Sequence, residues 1–483
     1  MPDLPSLAAR ARAAAQAARS RRLRDLPTLV FDPVSASVLF QLAFLVSAVL
    51  GVVRQMLFSA QFGIGPEASA YVAAFRLPET LLNLVGGGAL SSAMIPVLLH
   101  TRHAEGAARE QQVINRALTL IGAFGIVASV LGVAMAGPFV RAVLAPGFDP
   151  ATSALTVTLA RVMMLQPPLI IITTVAIAVL GSRNQFFLAA VSVALHNIAL
   201  IGGIAAARVF PQLGIAGPVA GLLADGALQA AILLPGLRAN GLRFRLSWPR
   251  GDPRLRQIVG LLIPSGLSAI VNFSGTIVDT AAASLVRQPG ALPAVNSALL
   301  LIGLPIRLLG MAVAQAVFPR LAASAAAHDW ATMRRLYLRA MVVAVGLALP
   351  AAATLALAGR WLVGLLFERG AFDAAAADLT AQALAAYALG LPFYIATELS
   401  TRALAAFYDT RTPLLTNLLQ VAGRIGLLAL LLQPLGALAI PLAFAATSAV
   451  ESALLTAVFW LRLRRRRVEN LRVAASIDLE EGR

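Results

Sequence analysis

Cysteine is absent from the 483 residues, so the chain has no disulfide framework, no thiolate metal site and no cysteine nucleophile. Histidine occurs only four times, at scattered positions, which is too thin a supply for a metal cluster. No His/carboxylate or Ser/His grouping stands in the loops, and the phosphate-cradling GxxxxGK(S/T) pattern is missing. These absences argue against an enzyme, against a resident cofactor or metal, and against ATP hydrolysis within the chain. Energy for any work would come from the membrane potential, from a Na+ or H+ gradient, or from a partner.

Charge is also scarce: 13% of residues are charged against 59% hydrophobic, and the mean hydropathy is +0.81. Such a composition lies far outside that of a soluble domain and points to an all-helical integral membrane protein with many spans. The net charge of +17 does not indicate nucleic acid, because the basic residues sit mostly in loops and tails and not on a soluble face.

A membrane helix needs about 20 apolar residues. Segments of that kind lie near 36–60, 69–99, 112–136, 154–181, 186–207 and 213–237, and again near 257–287, 294–324, 334–357, 377–406, 412–432 and 436–461. Arginine falls in the first tail, in the loops 100–111, 238–256 and 320–335, at Arg183 and Arg411, and in the 462–472 run RLRRRRVENLR. With twelve spans all of these lie on one side, which the positive-inside rule makes cytoplasmic, together with both termini. The expected organisation is a basic tail 1–34 with no cleavable signal peptide, an N-terminal lobe 35–237, a basic linker 238–256, a C-terminal lobe 257–461 and a tail 462–483.

The two lobes repeat one another. The stretch from Ile95 reads like the stretch from Phe318, and Pro96 pairs with Pro319, Asp149 with Asp373 and Pro167 with Pro392, at separations of 223, 224 and 225 residues. Six spans per repeat is an even number, so both halves enter the membrane in the same direction, related by an axis along the membrane normal. Two six-helix lobes around a central cavity is the architecture this predicts.

Several charges stand inside the apolar segments. Each costs about 2.5–3.5 kcal/mol at mid-membrane and so calls for a partner or a polar pathway. Arg54 lies in the first span, where it either lines such a pathway or snorkels to the interface. Arg76 and Glu79 share a helix face, and either neutralise each other or meet a substrate. Pro78 and the run Gly86, Gly87, Gly88 interrupt the same segment, providing a hinge or a close-packing surface.

Arg161, Asp225, Asp279, Arg307, Glu398, Arg402, Arg424 and Glu451 are also embedded. Asp279 is the most isolated carboxylate, placed either to couple a proton or sodium ion or to pair with an arginine between the lobes. Arg307 follows Pro305, where a kink frees backbone carbonyls. Glu398 and Arg402 have the spacing of an ion pair, and His196 and Asn197 that of an interhelical hydrogen-bonding pair. The excess of embedded guanidinium suits a phosphate-bearing, anionic substrate, which the planar fork grips bidentately.

LGVVRQ at 50–55, FGIG at 62–65, AFRLP at 74–78, GALSSAMIPV at 88–97, APGF at 145–148, LFERGAFD at 366–373 and FYDTRTP at 407–413 are similar to motifs of one family. From about residue 36 to 461 the chain resembles the MurJ (MviN) lipid II flippases of the MOP exporter superfamily. The resemblance implies alternating access in the bacterial inner membrane and transfer of an undecaprenyl-diphosphate-linked peptidoglycan precursor to the periplasmic leaflet. It also implies a monomer in contact with membrane lipids and cell-wall synthesis proteins.

Of the family's cavity arginines only Arg54 is kept, to hold the diphosphate, the others being Ala48, Leu82 and Leu300. An acid of the family is Gly87 here, an aspartate is Ser69 and an asparagine is Glu79, and two further C-terminal helices usual in the family do not follow residue 461. Arg76 and Arg307 are placed to compensate, Arg307 lying two turns beyond Leu300. The departures leave two other readings: an exporter of a different lipid-linked glycan, or a non-transporting membrane scaffold.

Overall fold

Runs of Ala, Leu, Val and Ile can satisfy their backbone groups in hydrocarbon only by hydrogen bonding within the segment, and the chain folds accordingly. The computed structural model describes residues 29–85, 89–248 and 251–481. Among them are fifteen α-helices: α1 Pro33–Phe62, α2 Pro66–Val85, α3 Ala89–Glu105, α4 Ala107–Phe139, α5 Pro150–Met163, α6 Gln166–Gly181, α7 Phe187–Val209, α8 Ala216–Ala239, α9 Pro253–Leu285, α10 Ala291–Pro305, α11 Ala312–Ala326, α12 Trp330–Phe367, α13 Ala374–Ala405, α14 Arg411–Leu435 and α15 Ala439–Glu481.

Nine stretches among the described residues are long and apolar enough to cross a membrane. One of them, Arg411–Arg466, holds both α14 and α15, which part at Gly436. The expected span 257–287 keeps an apolar helical part at Ala269–Leu285. The expected span 69–99 is helical on both sides of residues 86–88. The proposed hinge glycines Gly86, Gly87 and Gly88 lie outside the described residues, as does most of the basic tail 1–34. The last helix runs on to Glu481, so the expected tail 462–483 continues a span as helix.

The chain divides into two compact units. Unit 1 comprises residues up to 61, 73–140 and 150–273, and unit 2 comprises 62–72, 141–149 and 274 onward. The division therefore falls inside α9 and not in the expected linker 238–256.

In unit 1 the core is built from Leu90, Met94 and Leu98 of α3, Val113 and Ile114 of α4, Ile171, Val175 and Val179 of α6, and Leu233 and Leu237 of α8. In unit 2 the corresponding helices do the same work: Leu321 of α11, Met333 and Tyr337 of α12, Leu399 and Leu404 of α13, and Leu455 and Phe459 of α15. The sequence repeat thus reappears as two cores made from equivalent helices. Outside the cores, α4 and α12 expose stripes such as Ile126, Val127 and Val130, or Val342, Leu349 and Leu357. Water would penalise these stripes, whereas lipid tails do not.

The segment expected to be a basic linker, 238–256, is tied down within unit 1. Asp252 has a fully buried side chain that accepts hydrogen bonds from Arg109 Nη2 at 3.0 Å and Arg116 Nη1 at 2.6 Å, and from the Arg254 backbone N–H at 3.0 Å. Gln111 Nε2 donates to the Arg243 carbonyl at 2.9 Å, and the Ser247 N–H donates to Thr119 Oγ1 at 3.0 Å. Burial alone would favour the neutral acid at Asp252. The hydrogen bonds from Arg116 and the Arg254 backbone, with the charges of Arg109 and Arg116, outweigh it and hold the carboxyl below the ordinary aspartate range.

Helix starts and tight turns in unit 2 follow local chemistry. Asp329 caps α12 by accepting the Thr332 N–H at 2.9 Å, Asp373 caps α13 through the Ala376 N–H at 2.8 Å, and Asp409 accepts the Thr412 N–H at 3.1 Å at the start of α14. Gly63 has φ +58°, and a Cβ there would run into the Ala371 carbonyl. Gly147 lies so close to α9 that a Cβ would come within 2.7 Å of Leu285 Cα.

Two stability outcomes are expected. Asp252→Asn should cost about 2 kcal/mol or more at neutral pH, since it leaves partly buried guanidinium groups without their carboxylate. A carboxyl with a depressed native pKa stabilises above the ordinary aspartate range, about pH 4, and loses that contribution as pH falls through its native value. Melting curves of wild type and Asp252→Asn should therefore converge as pH drops below about 4. Gly147→Ala should destabilise by about 1–3 kcal/mol through overpacking. Gly122→Ala, where a Cβ meets nothing within 4 Å, should be neutral or stabilising in the same melting assay.

Candidate functional site

The charges read from the sequence distribute between the units, and each has a definable environment. In unit 1, α1 packs a polar stripe inward. Ser47 Oγ donates to the Val193 carbonyl at 3.2 Å, and Asn197 Nδ2 reaches Ser47 at 2.9 Å. One and two turns later lie Gly51, 3.7 Å from Asn197 Oδ1 by its potential Cβ, and the buried Gln55, which donates to Ser59 Oγ at 3.3 Å. Arg54 stands beside this stripe and is half-buried.

On α2, Arg76 Nη1 meets Glu79 Oε2 at 2.7 Å, with the arginine side chain 11% exposed and the glutamate 25%. The i, i+3 spacing makes this pairing geometrically direct. Pro78, buried between them in sequence, leaves α2 helical through Val85.

Further into unit 1, Asp225 of α8 is fully buried. It receives Gln229 Nε2 at 2.7 Å and Gln166 Nε2 at 3.1 Å, with His196 Nδ1 at 2.9 Å. His196 and Asn197 are thus interhelical hydrogen-bonding residues, as their sequence suggested, although they point to different partners. Gln166 and Gln229 were not singled out from the sequence. The signal available was the i, i+4 spacing of Asp225 and Gln229 inside an otherwise apolar span.

In unit 2, Pro305 ends α10 and a π-helical turn, Ile306–Met311, follows it. Proline supplies no N–H for the i→i−4 ladder, and the wider turn absorbs the break. Arg307 lies in this turn and is exposed, as is its neighbour Leu308. The sequence located the kink but not its π-helical form.

Asp279 of α9, the proposed coupling carboxylate, is buried and bonded to Arg424 Nη1 of α14 at 3.2 Å. Its arginine therefore comes from the same unit. Arg424 is itself 5% exposed and lies 4.9 Å from the centre of the Phe444 ring, while its Nε and Nη2 atoms have no hydrogen-bond partner. Glu451 of α15 is buried and accepts a hydrogen bond from Thr416 Oγ1 of α14 at 3.5 Å. One expectation is met only in part: the Arg402 charge acts on the Glu398 carboxyl, but the two make no direct salt-bridge contact. The Glu398 carboxyl is placed toward the Tyr394 hydroxyl one turn earlier, and Arg402 Nε stays buried without a partner.

Comparison with known proteins agrees with this architecture. The family model described as lipid II flippase MurJ matches residues 58–479. A probable lipid II flippase MurJ of Rhizobium meliloti (strain 1021) is 30% identical over 399 residues, covering 80% of this chain and 72% of that protein. The lipid II flippase MurJ of Burkholderia cenocepacia is 31% identical over 387 residues, covering 76% and 72%.

Among solved structures, an inward closed lipid II flippase MurJ superposes with a TM-score of 0.76 at 20% identity, covering 92% of this chain and 93% of that one. An inward-facing MATE family transporter of the MOP superfamily superposes at 0.74 with 14% identity, covering 87% and 95%. These two share the fold. With a family model spanning most of its length and relatives at this level of identity, the chain belongs to the lipid II flippase MurJ family.

Proposed function

We infer that this protein is a flippase that carries lipid II across the bacterial cytoplasmic membrane by alternating access, with both termini cytoplasmic, and that it transforms no substrate chemically. The observation that carries this reading is the family match over residues 58–479. Embedded guanidinium groups support it. Every one of the 39 basic residues is arginine, the side chain whose planar, permanently charged fork fits a diphosphate. Arg54 would hold the diphosphate. Arg307, exposed at its π-helical turn, would take part of the role of the family arginines replaced by Leu82 and Leu300, and Arg76 would contribute only as far as Glu79 releases it. The cycle would draw on the membrane potential or an ion gradient and serve cell-wall synthesis proteins downstream.

The replacements at Ala48, Leu82 and Leu300 favour one second reading, transport of a different lipid-linked glycan. Complementation of a MurJ-depleted bacterium separates the two, since rescue requires lipid II itself.

Arg54→Ala should abolish rescue and slow translocation in proteoliposomes by roughly tenfold to a hundredfold, the loss of one charge-assisted contact, with melting temperature unchanged. Arg54→Lys should recover only part of that, because an ammonium cannot bind bidentately. Arg307→Ala and Arg76→Ala should each reduce transport. If both leave it intact while Arg54→Ala abolishes it, the compensating role is wrong.

A further inference from the structure

Two buried aspartates are handled in opposite ways. Asp279 faces Arg424, whose guanidinium stays charged at every accessible pH. Asp225 faces no such cation. Among the described residues its single ion-pair partner is His196, whose side chain is 33% exposed while that of Asp225 is fully covered. The other donors to Asp225, Gln166 and Gln229, are neutral. Other charged groups on the helices packed around the pair are Arg54 of α1, Arg161 of α5, Arg208 near the end of α7 and Arg238 near the end of α8. None of them bonds to Asp225, and α6 carries no titratable residue. The charge balance of this buried carboxylate therefore rests on one imidazole, a side chain that exists in a neutral and a cationic form.

We propose that His196 and Asp225 form a proton-binding site within unit 1. When loaded, His196 is an imidazolium whose Nδ1–H donates to Asp225 Oδ2, and the pair is neutral. On release the proton leaves His196 Nε2 for water. The neutral imidazole keeps its Nδ1–H bond to Asp225, and the carboxylate charge is then held only by neutral N–H donors on α6, α7 and α8. A buried charge without a counter-charge is disfavoured, so release loosens the packing of these three helices and uptake tightens it. The use of this site to couple a proton gradient to the transport cycle rests on the flippase reading, whereas the site itself does not.

The test uses the full chain in lipid nanodiscs. Hydrogen exchange of α7 and α8, corrected for intrinsic rates, should show protection that falls as pH rises across about pH 5–8. His196→Gln and Asp225→Asn should each lose this dependence. A wild-type response retained in His196→Gln overturns the proposal.

Should the variants fail to fold, a protein keeping His196 as its sole histidine, with His100, His103 and His328 replaced by Gln, reports the imidazole directly by 15N NMR. Constant charge across the same range overturns the site. Neither readout needs lipid II, so the proton site can fail while the flippase reading stands, and the reverse. In proteoliposomes where wild type translocates, loss of the dependence on a pH gradient in His196→Gln would join the two, and an unaltered dependence would refute the coupling.

Discussion

A charge held among apolar helices with hydrocarbon outside has to find its match locally, because no water shell is available and a long reach through a low-dielectric interior is unfavourable. This constraint governs the arrangement of both units. Asp279 is answered by Arg424, Arg76 by Glu79, and Asp225 by His196 with two glutamines. At the end of unit 1, where water is near, the same rule is relaxed into a network, with Asp252 shared by Arg109 and Arg116 and Glu105 shared by Arg109 and Arg254. Arg54 is half-buried on α1 beside a polar stripe, and Arg307 lies on an exposed π-helical turn.

The motifs that carry the family resemblance turn out to be largely about chain geometry. FGIG places Gly63 in a left-handed turn against Ala371, APGF brings Gly147 against Ser284 and Leu285, LFERGAFD supplies the Asp373 cap, and FYDTRTP supplies Asp409, which also accepts Arg462 Nη2 at 2.6 Å. These residues permit sharp reversals between spans where side chains would collide or helix ends would leave N–H groups unsatisfied. They carry the family resemblance through the turns and caps that the fold needs.

The internal repeat links sequence to architecture at a second level. Pro96 and Pro319 lie inside the equivalent helices α3 and α11, and Asp149 and Asp373 each stand immediately before a helix start, so the paired residues mark matching turning points of the two halves. The charged residues have diverged between the halves. Within its spans one unit pairs the buried Asp225 with a histidine, whereas the other pairs the buried Asp279 with an arginine.

From the sequence alone came the membrane class, the twelve apolar segments, the repeat, the kink at Pro305 and the set of embedded charges, because hydropathy, proline and arginine act through the chain's own local neighbourhood. Partnership was decided by tertiary structure. Glu398 and Arg402 had the spacing of an ion pair and make no direct salt-bridge contact, Asp279 found Arg424 145 residues away, and a basic linker was pinned by Glu105 of α3 and by its own Asp252, held by Arg109 and Arg116 of α4. Spacing along one helix says which side chains can meet. Which of them do depends on the groups that neighbouring helices bring to the same place, and that is settled only when the bundle packs.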